Sequence, residues 1–159
     1  MGYELITLRD AVADDLPFLA RLYGETRRRE VSAWGWPQEQ QEWFLRMQFD
    51  AQRRSYRASF PDALDRIVRR EDISIGRLLT KQDGTSMRLI DIALIEEQRQ
   101  QGIGTYLLHN LLQECQTQGS TLQLHVARGN PAMRLYQRLG FAETRGDQMY
   151  IEMEWKPRL

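Results

Sequence analysis

The stretch Ile90-Asp91-Ile92-Ala93-Leu94-Ile95, then Glu96-Glu97-Gln98-Arg99-Gln100-Gln101-Gly102-Ile103-Gly104, then Thr105-Tyr106-Leu107-Leu108, changes its hydrophobic period midway. Of its first six residues five are apolar and three of these are β-branched isoleucines, a composition that suits a strand. From Ile103 onward, Leu107, Leu108, Leu111, Leu112 and Cys115 recur at three- and four-residue spacing, which predicts a helix closed by Gly119. The loop between them places glycines at the mouth of that helix. There they let a ligand approach the backbone, while free first-turn N–H groups and the helix dipole attract an anion such as phosphate. Gly-x-Gly alone is equally compatible with a tight turn. A Walker loop is excluded because Thr105-Tyr106 follows Gly104 where Lys-Ser/Thr is needed, and a dinucleotide fingerprint because Leu107 stands at its third glycine.

What remains is Arg99-x-x-Gly102-x-Gly104, followed downstream by Asn130-Pro131-Ala132-Met133-Arg134-Leu135-Tyr136-Gln137-Arg138-Leu139-Gly140-Phe141. Together these segments resemble the GNAT superfamily of acyl-CoA-dependent N-acyltransferases, the second segment being the more specific. The resemblance covers about residues 66–155. It departs at Gln100, where the family often has glycine, and this puts the loop's backbone donation in question. It implies an acetyl-CoA or longer acyl-CoA donor in a gap between strands ending near Leu94 and Ala127. Main-chain groups of Ile92, Ala93 and Leu94 would pair with the pantetheine arm, and the loop opened by Arg99 (Gln100, Gln101, Gly102, Ile103, Gly104, Thr105) would hold the pyrophosphate. By the same analogy the Leu94 N–H faces the oxyanion. Asn130 is either a contact to pantetheine or simply the cap of the helix that Pro131 begins.

Acyl transfer to an amine needs a neutral nucleophile, oxyanion donors and a proton for the departing thiolate. Tyr136 is offset from the stripe of Leu135 and Leu139, so its hydroxyl can reach the cleft and supply that proton; an ordinary core tyrosine is the alternative. Asp91 and His125 alternate away from Ile90, Ile92, Leu94 and from Leu122, Leu124, Val126 respectively, and either can border the acceptor site as the base. A structural role for both, with a water relay as base, stands beside that reading. Cys115 lies on the apolar helix face, which favours direct attack over an acyl-enzyme. The lone cysteine with His109 and His125 lacks ligand spacing, so no metal is expected.

Working outward, residues 3–9 read as a strand, and Asp14-Asp15-Leu16-Pro17 opens a helix carrying Leu16, Leu19, Leu22 and Tyr23 to about Arg29. Trp34-Gly35-Trp36-Pro37 breaks it. A second helix follows towards Phe60-Pro61, with Trp43, Phe44, Met47 and Ala51 as its apolar stripe. Strands are predicted at 66–68, 73–79, 88–95, 122–126 and 149–155, with an Asp83-Gly84 turn, and a short helix from Pro131 to Leu139 ends at Gly140. The expected fold is one α/β domain over 1–159: a mixed, mostly antiparallel sheet of about seven strands, four helices and splayed central strands. Residues 1–61 would form the acceptor side and 66–155 the acyl-CoA core. Of the aromatics Trp34, Trp36, Trp43, Phe49 and Tyr56, most are expected in the core and some in the acceptor pocket. Glu39, Glu42 and Asp50 either attract an ammonium or face solvent, and Arg27-Arg28-Arg29 reads as a solvated helix end.

The chain has 159 residues, with 22 Lys plus Arg balancing 22 Asp plus Glu. Such balance argues against a polybasic surface for nucleic acid or anionic membrane. Mean hydropathy is −0.59, and no apolar run nears the ~18 residues of a spanning helix. One cysteine and a start without signal-peptide order fit the cytoplasm. The expected activity is transfer of an acetyl group from acetyl-CoA to a primary amine of a small molecule or peptide. A non-catalytic acyl-CoA-binding protein and an interaction module are the rivals, and a homodimer is permitted but not required.

Overall fold

A computed structural model describes residues 2–159. In chain order it contains β1 (Ile6–Asp10), α1 (Leu16–Ser32), α2 (Gln38–Ser59), β2 (Leu64–Arg70), β3 (Ile73–Asp83), β4 (Ser86–Leu94), α3 (Ile103–Gln118), β5 (Thr121–Ala127), α4 (Ala132–Arg138), β6 (Ala142–Gly146) and β7 (Tyr150–Trp155). Single 3-10 turns precede β1 and α1 and follow β4. The strands form one sheet ordered β1-β2-β3-β4-β5-β7-β6. Every pairing is antiparallel except β4 with β5, whose parallel run requires a crossover that α3 provides.

Each face of the sheet buries a different helix layer. On one face Leu107, Leu108, Leu111 and Cys115 of α3 join Val68, Leu78, Met87, Leu89, Leu122 and Leu124 in the main core. Cys115 is fully buried with its Sγ 3.8 Å from Met87 Sδ. On the other face Leu19 of α1 and Phe49 of α2 close over Ile67. The predicted stripe of α2 is corrected here, because Trp43 and Met47 are 62% and 50% exposed and the one buried residue of that helix is Phe49. The helix is rolled so that Phe49, Gln52 and Tyr56 turn towards the protein; most of its other positions are polar, so periodicity alone could not fix the roll. Residues 3–5 form a turn rather than the start of β1. β6, whose position the sequence left unassigned, is exposed at all five residues and therefore carries no burial pattern to read.

Two irregularities in β4 open the sheet. In its pairing with β3, Leu79 faces Asp91 and Thr80 faces Leu89, so Ile90 is an extra residue. Such a bulge bends its strand and raises the local twist. Pairing with β5 then runs only from Ser86 and Thr121 to Leu89 and Leu124 and stops. Beyond it the two strands diverge, leaving the β5-facing edge of residues 90–94 without a ladder partner. The bulge also corrects the predicted alternation: Met87 and Leu89 fill the α3 core, while Ile90 stands outside it and Ile92 and Leu94 are only half-buried.

Candidate active site

The gap is walled by β4 on one side and β5 on the other, with the N-terminus of α3 at its mouth. Ile95 donates its N–H to Ile75 of β3 at 2.8 Å. Alternation along an antiparallel strand therefore turns the Leu94 N–H away from β3 and towards the gap. The Leu94 carbonyl points the same way and accepts from Arg99 Nε at 2.9 Å, which fastens the loop to the end of the strand.

Past Arg99 the chain makes a left-handed bend at Gln100, φ 61°, and another at Gly102, φ 80°. Gln100 thus occupies a conformation that suits glycine, and it accepts the strain of a side chain there. None of the backbone N–H groups from Gln100 to Thr105 finds an acceptor among the described residues, which leaves six donors around the first turn of α3 without a protein partner. A Cβ added at Gly104 would meet nothing within 4 Å, which leaves open space above the turn. At Gly102 a Cβ would run into Tyr3 Oη. That tyrosine donates to the Gln101 carbonyl at 2.8 Å and stacks on Tyr106 at 4.8 Å. Arg70 Nη1 donates to Gln98 Oε1 at 2.7 Å, and Glu25 Oε1 accepts the Glu96 N–H at 2.9 Å. The loop is therefore held from β2, from α1 and from the N-terminal turn. This arrangement fits a pyrophosphate: the donors are fixed in place, unpaired and uncrowded by side chains. Asn130 Oδ1 accepts the Ala132 N–H at 2.9 Å, so its oxygen caps α4.

Tyr136 of α4 is 9% exposed, with its ring edge-on to Phe141 at 5.6 Å. Burial, with the Asp91 charge adding to it, pushes its hydroxyl above the ordinary tyrosine range and keeps it protonated at neutral pH. Asp91 belongs to a row of charges across three strands on the face under α1 and α2. Arg77 of β3, 7% exposed, donates through Nε and Nη2 to the two carboxylate oxygens of Asp65 of β2, both at 2.9 Å. Its third nitrogen, Nη1, stands 4.0 Å from Asp91 Oδ2. Burial raises the Asp91 carboxyl above its usual range; Arg77 pulls it down and Asp65 pushes it up. Tyr56 of α2 lies beneath the Arg77 guanidinium at 6.0 Å and is itself raised by burial. A cavity of about 350 Å³ opens above Asp91, Ile92 and Ala93, roofed by α1 residues that include Tyr23 and Arg27, with Gln52 from α2.

His125 is placed elsewhere. Its half-exposed ring lies 3.4 Å from Glu152 Oε2, with Arg88 Nη1 at 3.1 Å from Nδ1, in a depression shared with Arg145 and Tyr150 and separate from the one above Asp91. Among the aromatics, Phe49 is core and Tyr56 lines a second cavity of about 340 Å³ beyond Arg77. Trp34, Trp36 and Phe44 instead form a partly exposed cluster at 5.1 to 5.5 Å, and Trp43 faces solvent, so none of the three tryptophans lines the cavity above Asp91. Glu39 and Glu42 are exposed, and Asp50 is 3.7 Å from Arg46. Sequence reading missed Arg77, Asp65 and Tyr3, and it set Arg27 aside with its neighbours. A lone arginine in an apolar strand, Ile75-Gly76-Arg77-Leu78-Leu79, was the available signal for the buried pair.

Residues 28–141 match the sequence profile of the acetyltransferase (GNAT) family. A PaiA N-acetyltransferase from Thermoplasma acidophilum, solved in complex with coenzyme A, is similar in fold: TM-score 0.70, 22% identity, covering 95% of this chain and 98% of that one. The ribosomal-protein-S18-alanine N-acetyltransferase of Escherichia coli gives TM-score 0.63 at 21% identity, covering 97% and 95% of the two chains. A shorter likeness, 47% identical over 45 residues, joins the chain to the cysteine-rich protein 2-binding proteins of Mus musculus and Homo sapiens. It spans 28% of this chain and 6% of the length of those relatives. With the family's profile matched over most of the chain and its sheet parted beside an unpaired backbone cradle, this protein belongs to the acetyltransferase (GNAT) family of acyltransferases.

Proposed function

We propose that this protein transfers an acetyl group from acetyl-CoA to the primary amine of a small molecule or peptide, by direct attack in the gap between β4 and β5. The observation that carries the donor side is the run of unpaired N–H groups from Gln100 to Thr105 under the open space at Gly104. These groups would hold the pyrophosphate, while the free edge at Ile92, Ala93 and Leu94 would take the pantetheine arm as an added strand. In this reading residues 66–155 form the donor core and 1–61 contribute the acceptor side.

Acetyl-CoA, when bound, supplies a thioester whose carbonyl carbon bonds to the amine nitrogen as the carbon–sulfur bond breaks. The Leu94 N–H points into the gap and stabilises the developing oxyanion. Asp91, at the floor of the acceptor cavity, accepts the proton that the amine nitrogen loses. Burial raises its affinity for a proton, which makes it a stronger base than a solvated carboxylate. Tyr136 Oη donates the proton that the leaving sulfur takes up, and solvent restores it. His125 faces a different depression and takes no part in this scheme. Cys115, buried and with its thiol pushed up to about 11, is unsuited to carry the acyl group.

The test is thiol release from acetyl-CoA across a panel of amines, with the product identified by mass. Acetyl-CoA binding with amine-dependent thiol release is the expected result. Binding without release on any acceptor would favour a protein that only holds acyl-CoA, and absence of binding would remove the donor reading altogether.

A further inference from the structure

The cavity above Asp91 is unevenly charged, and the imbalance bears on the acceptor. Asp91 sits at its floor beside Ile92 and Ala93, where the acyl group would arrive; this argument rests on that reading of the site. Arg77 also reaches the floor, but its bidentate pair with Asp65 offsets its charge. The opposite wall is α1, and it presents Arg27. Arg27 Nη1 donates to Tyr23 Oη at 2.8 Å and approaches Gln48 Oε1 at 3.4 Å, while Nε reaches Glu30 at 3.2 Å. Glu30 is 60% exposed and lies outside the cavity lining, so its screened pairing leaves most of the Arg27 field directed inward.

Because Tyr23 Oη accepts from Arg27, its own proton is free to donate. Arg27 Nη2 and the Gln52 amide have no acceptor among the described residues, and Gln52 lines the same cavity. Three donors, one of them cationic, therefore converge on the α1 and α2 side, and one carboxylate waits at the floor. A volume of about 350 Å³ is near the lower end for ligand cavities and suits a compact molecule.

We infer that the acceptor is a small amine that also carries an anionic group, a carboxylate above all: Asp91 receives its amine and Arg27, with Tyr23 and Gln52, its carboxylate. A polyamine is disfavoured, because its second cation would meet Arg27. A free amino acid and a peptide N-terminus share the amine but differ in where the negative charge lies, so the acceptors must separate them.

The experiment compares glycine, β-alanine and γ-aminobutyrate with ethylamine, propylamine, butylamine and glycinamide, using acetyl-CoA and the wild-type, Arg27→Gln and Arg27→Lys proteins. Referred to the concentration of unprotonated amine, the carboxylate series should exceed its matched amines in kcat/KM by ~10- to 100-fold, as a charge-assisted hydrogen bond permits. Its dependence on chain length would report the span from Asp91 to Arg27. Arg27→Gln should raise KM for the amino acids by a similar factor, affect the carboxyl-free amines far less, and be partly rescued by Arg27→Lys. Amines used as well as the amino acids, glycinamide matching glycine, or Arg27→Gln lowering both series alike would each overturn the inference. If acetyl-CoA binds and no amine in either series is acetylated, the transfer reading falls, and calorimetric titration of the amino acids into the acetyl-CoA-loaded protein decides the carboxylate site separately. Binding that Arg27→Gln abolishes supports the site, and absence of binding overturns it.

Discussion

The two sides of the cleft are made of different material. In the proposed reading the donor side lies between β4 and α3, where main-chain N–H and carbonyl groups would face the ligand while side chains such as Tyr3, Arg70 and Arg99 hold the loop from behind. On the side proposed for the acceptor, under α1 and α2, side chains line the cavity: Asp91, Arg27, Tyr23 and Gln52 beside Arg77 and its pair with Asp65. A backbone site depends on where the chain bends and on what is kept out of the way, whereas a side-chain site depends on which residues stand on the frame. Substitutions should therefore act on the donor side through added bulk or altered conformation, and on the acceptor side through charge and proton affinity.

Tyr136 offers the largest expected effect. Tyr136→Phe keeps the ring against Phe141 and removes the hydroxyl, so turnover should fall ~10²- to 10⁴-fold with little change in acetyl-CoA affinity. Single-turnover transfer measures this, and near-normal chemistry would leave solvent as the proton source. Gly104→Val comes next and tests the donor side by bulk alone. Nothing in the protein lies within 4 Å of the added Cβ, so the variant should fold while acetyl-CoA affinity drops by ~100-fold or more, because the side chain occupies the anion's space. Calorimetry with a thermal melt reads both quantities, and unchanged affinity would contradict the cradle.

Asp65→Asn tests the acceptor side by charge. Asp65 holds Arg77 through two bonds and pushes the Asp91 carboxyl up, while Arg77 pulls it down. Removing the Asp65 charge lowers the affinity of Asp91 for a proton, and a base that stays ionised to lower pH keeps the enzyme active to lower pH. The acidic limb of kcat/KM should therefore move to lower pH. An aromatic amine acceptor, unprotonated throughout the window, keeps the acceptor's own titration out of the profile. An unmoved limb would mean that Asp91 does not set it. The smallest effect belongs to Gln100→Gly. Relief of the left-handed conformation at φ 61° outweighs the added chain entropy, and stability should rise by up to about 1 kcal/mol, read as the midpoint of chemical denaturation.

The same division explains what the sequence made legible. Gly102, Gly104 and the run from Asn130 to Phe141 report backbone geometry, and backbone geometry leaves a mark at fixed spacing, so β4, α3, α4 and the loop between them can be placed from residues alone. The glycine-favouring bend at Gln100 is visible only as a departure until its positive φ is seen. The acceptor side left no such mark. Arg77 and Asp65 are 12 residues apart, and only the β2–β3 register joins them. On α2, Trp43 and Met47 look like core from their apolar character, whereas packing selects Phe49 and leaves the tryptophan in solvent. Arg27 was indistinguishable from Arg28 and Arg29 until the turn of α1 set it alone towards the cavity. His125 has the alternation of a site residue, yet β5 diverges from β4 and its ring faces Glu152 instead.

Amide hydrogen exchange with and without acetyl-CoA reads the donor groups themselves. The backbone account predicts slowed exchange at Gln100 to Thr105 and along the free edge at Ile92 and Leu94, with α1 and α2 little changed until an acceptor is added. Protection confined to α1 and α2, or none at Gln100 to Thr105 under saturating acetyl-CoA, would contradict it.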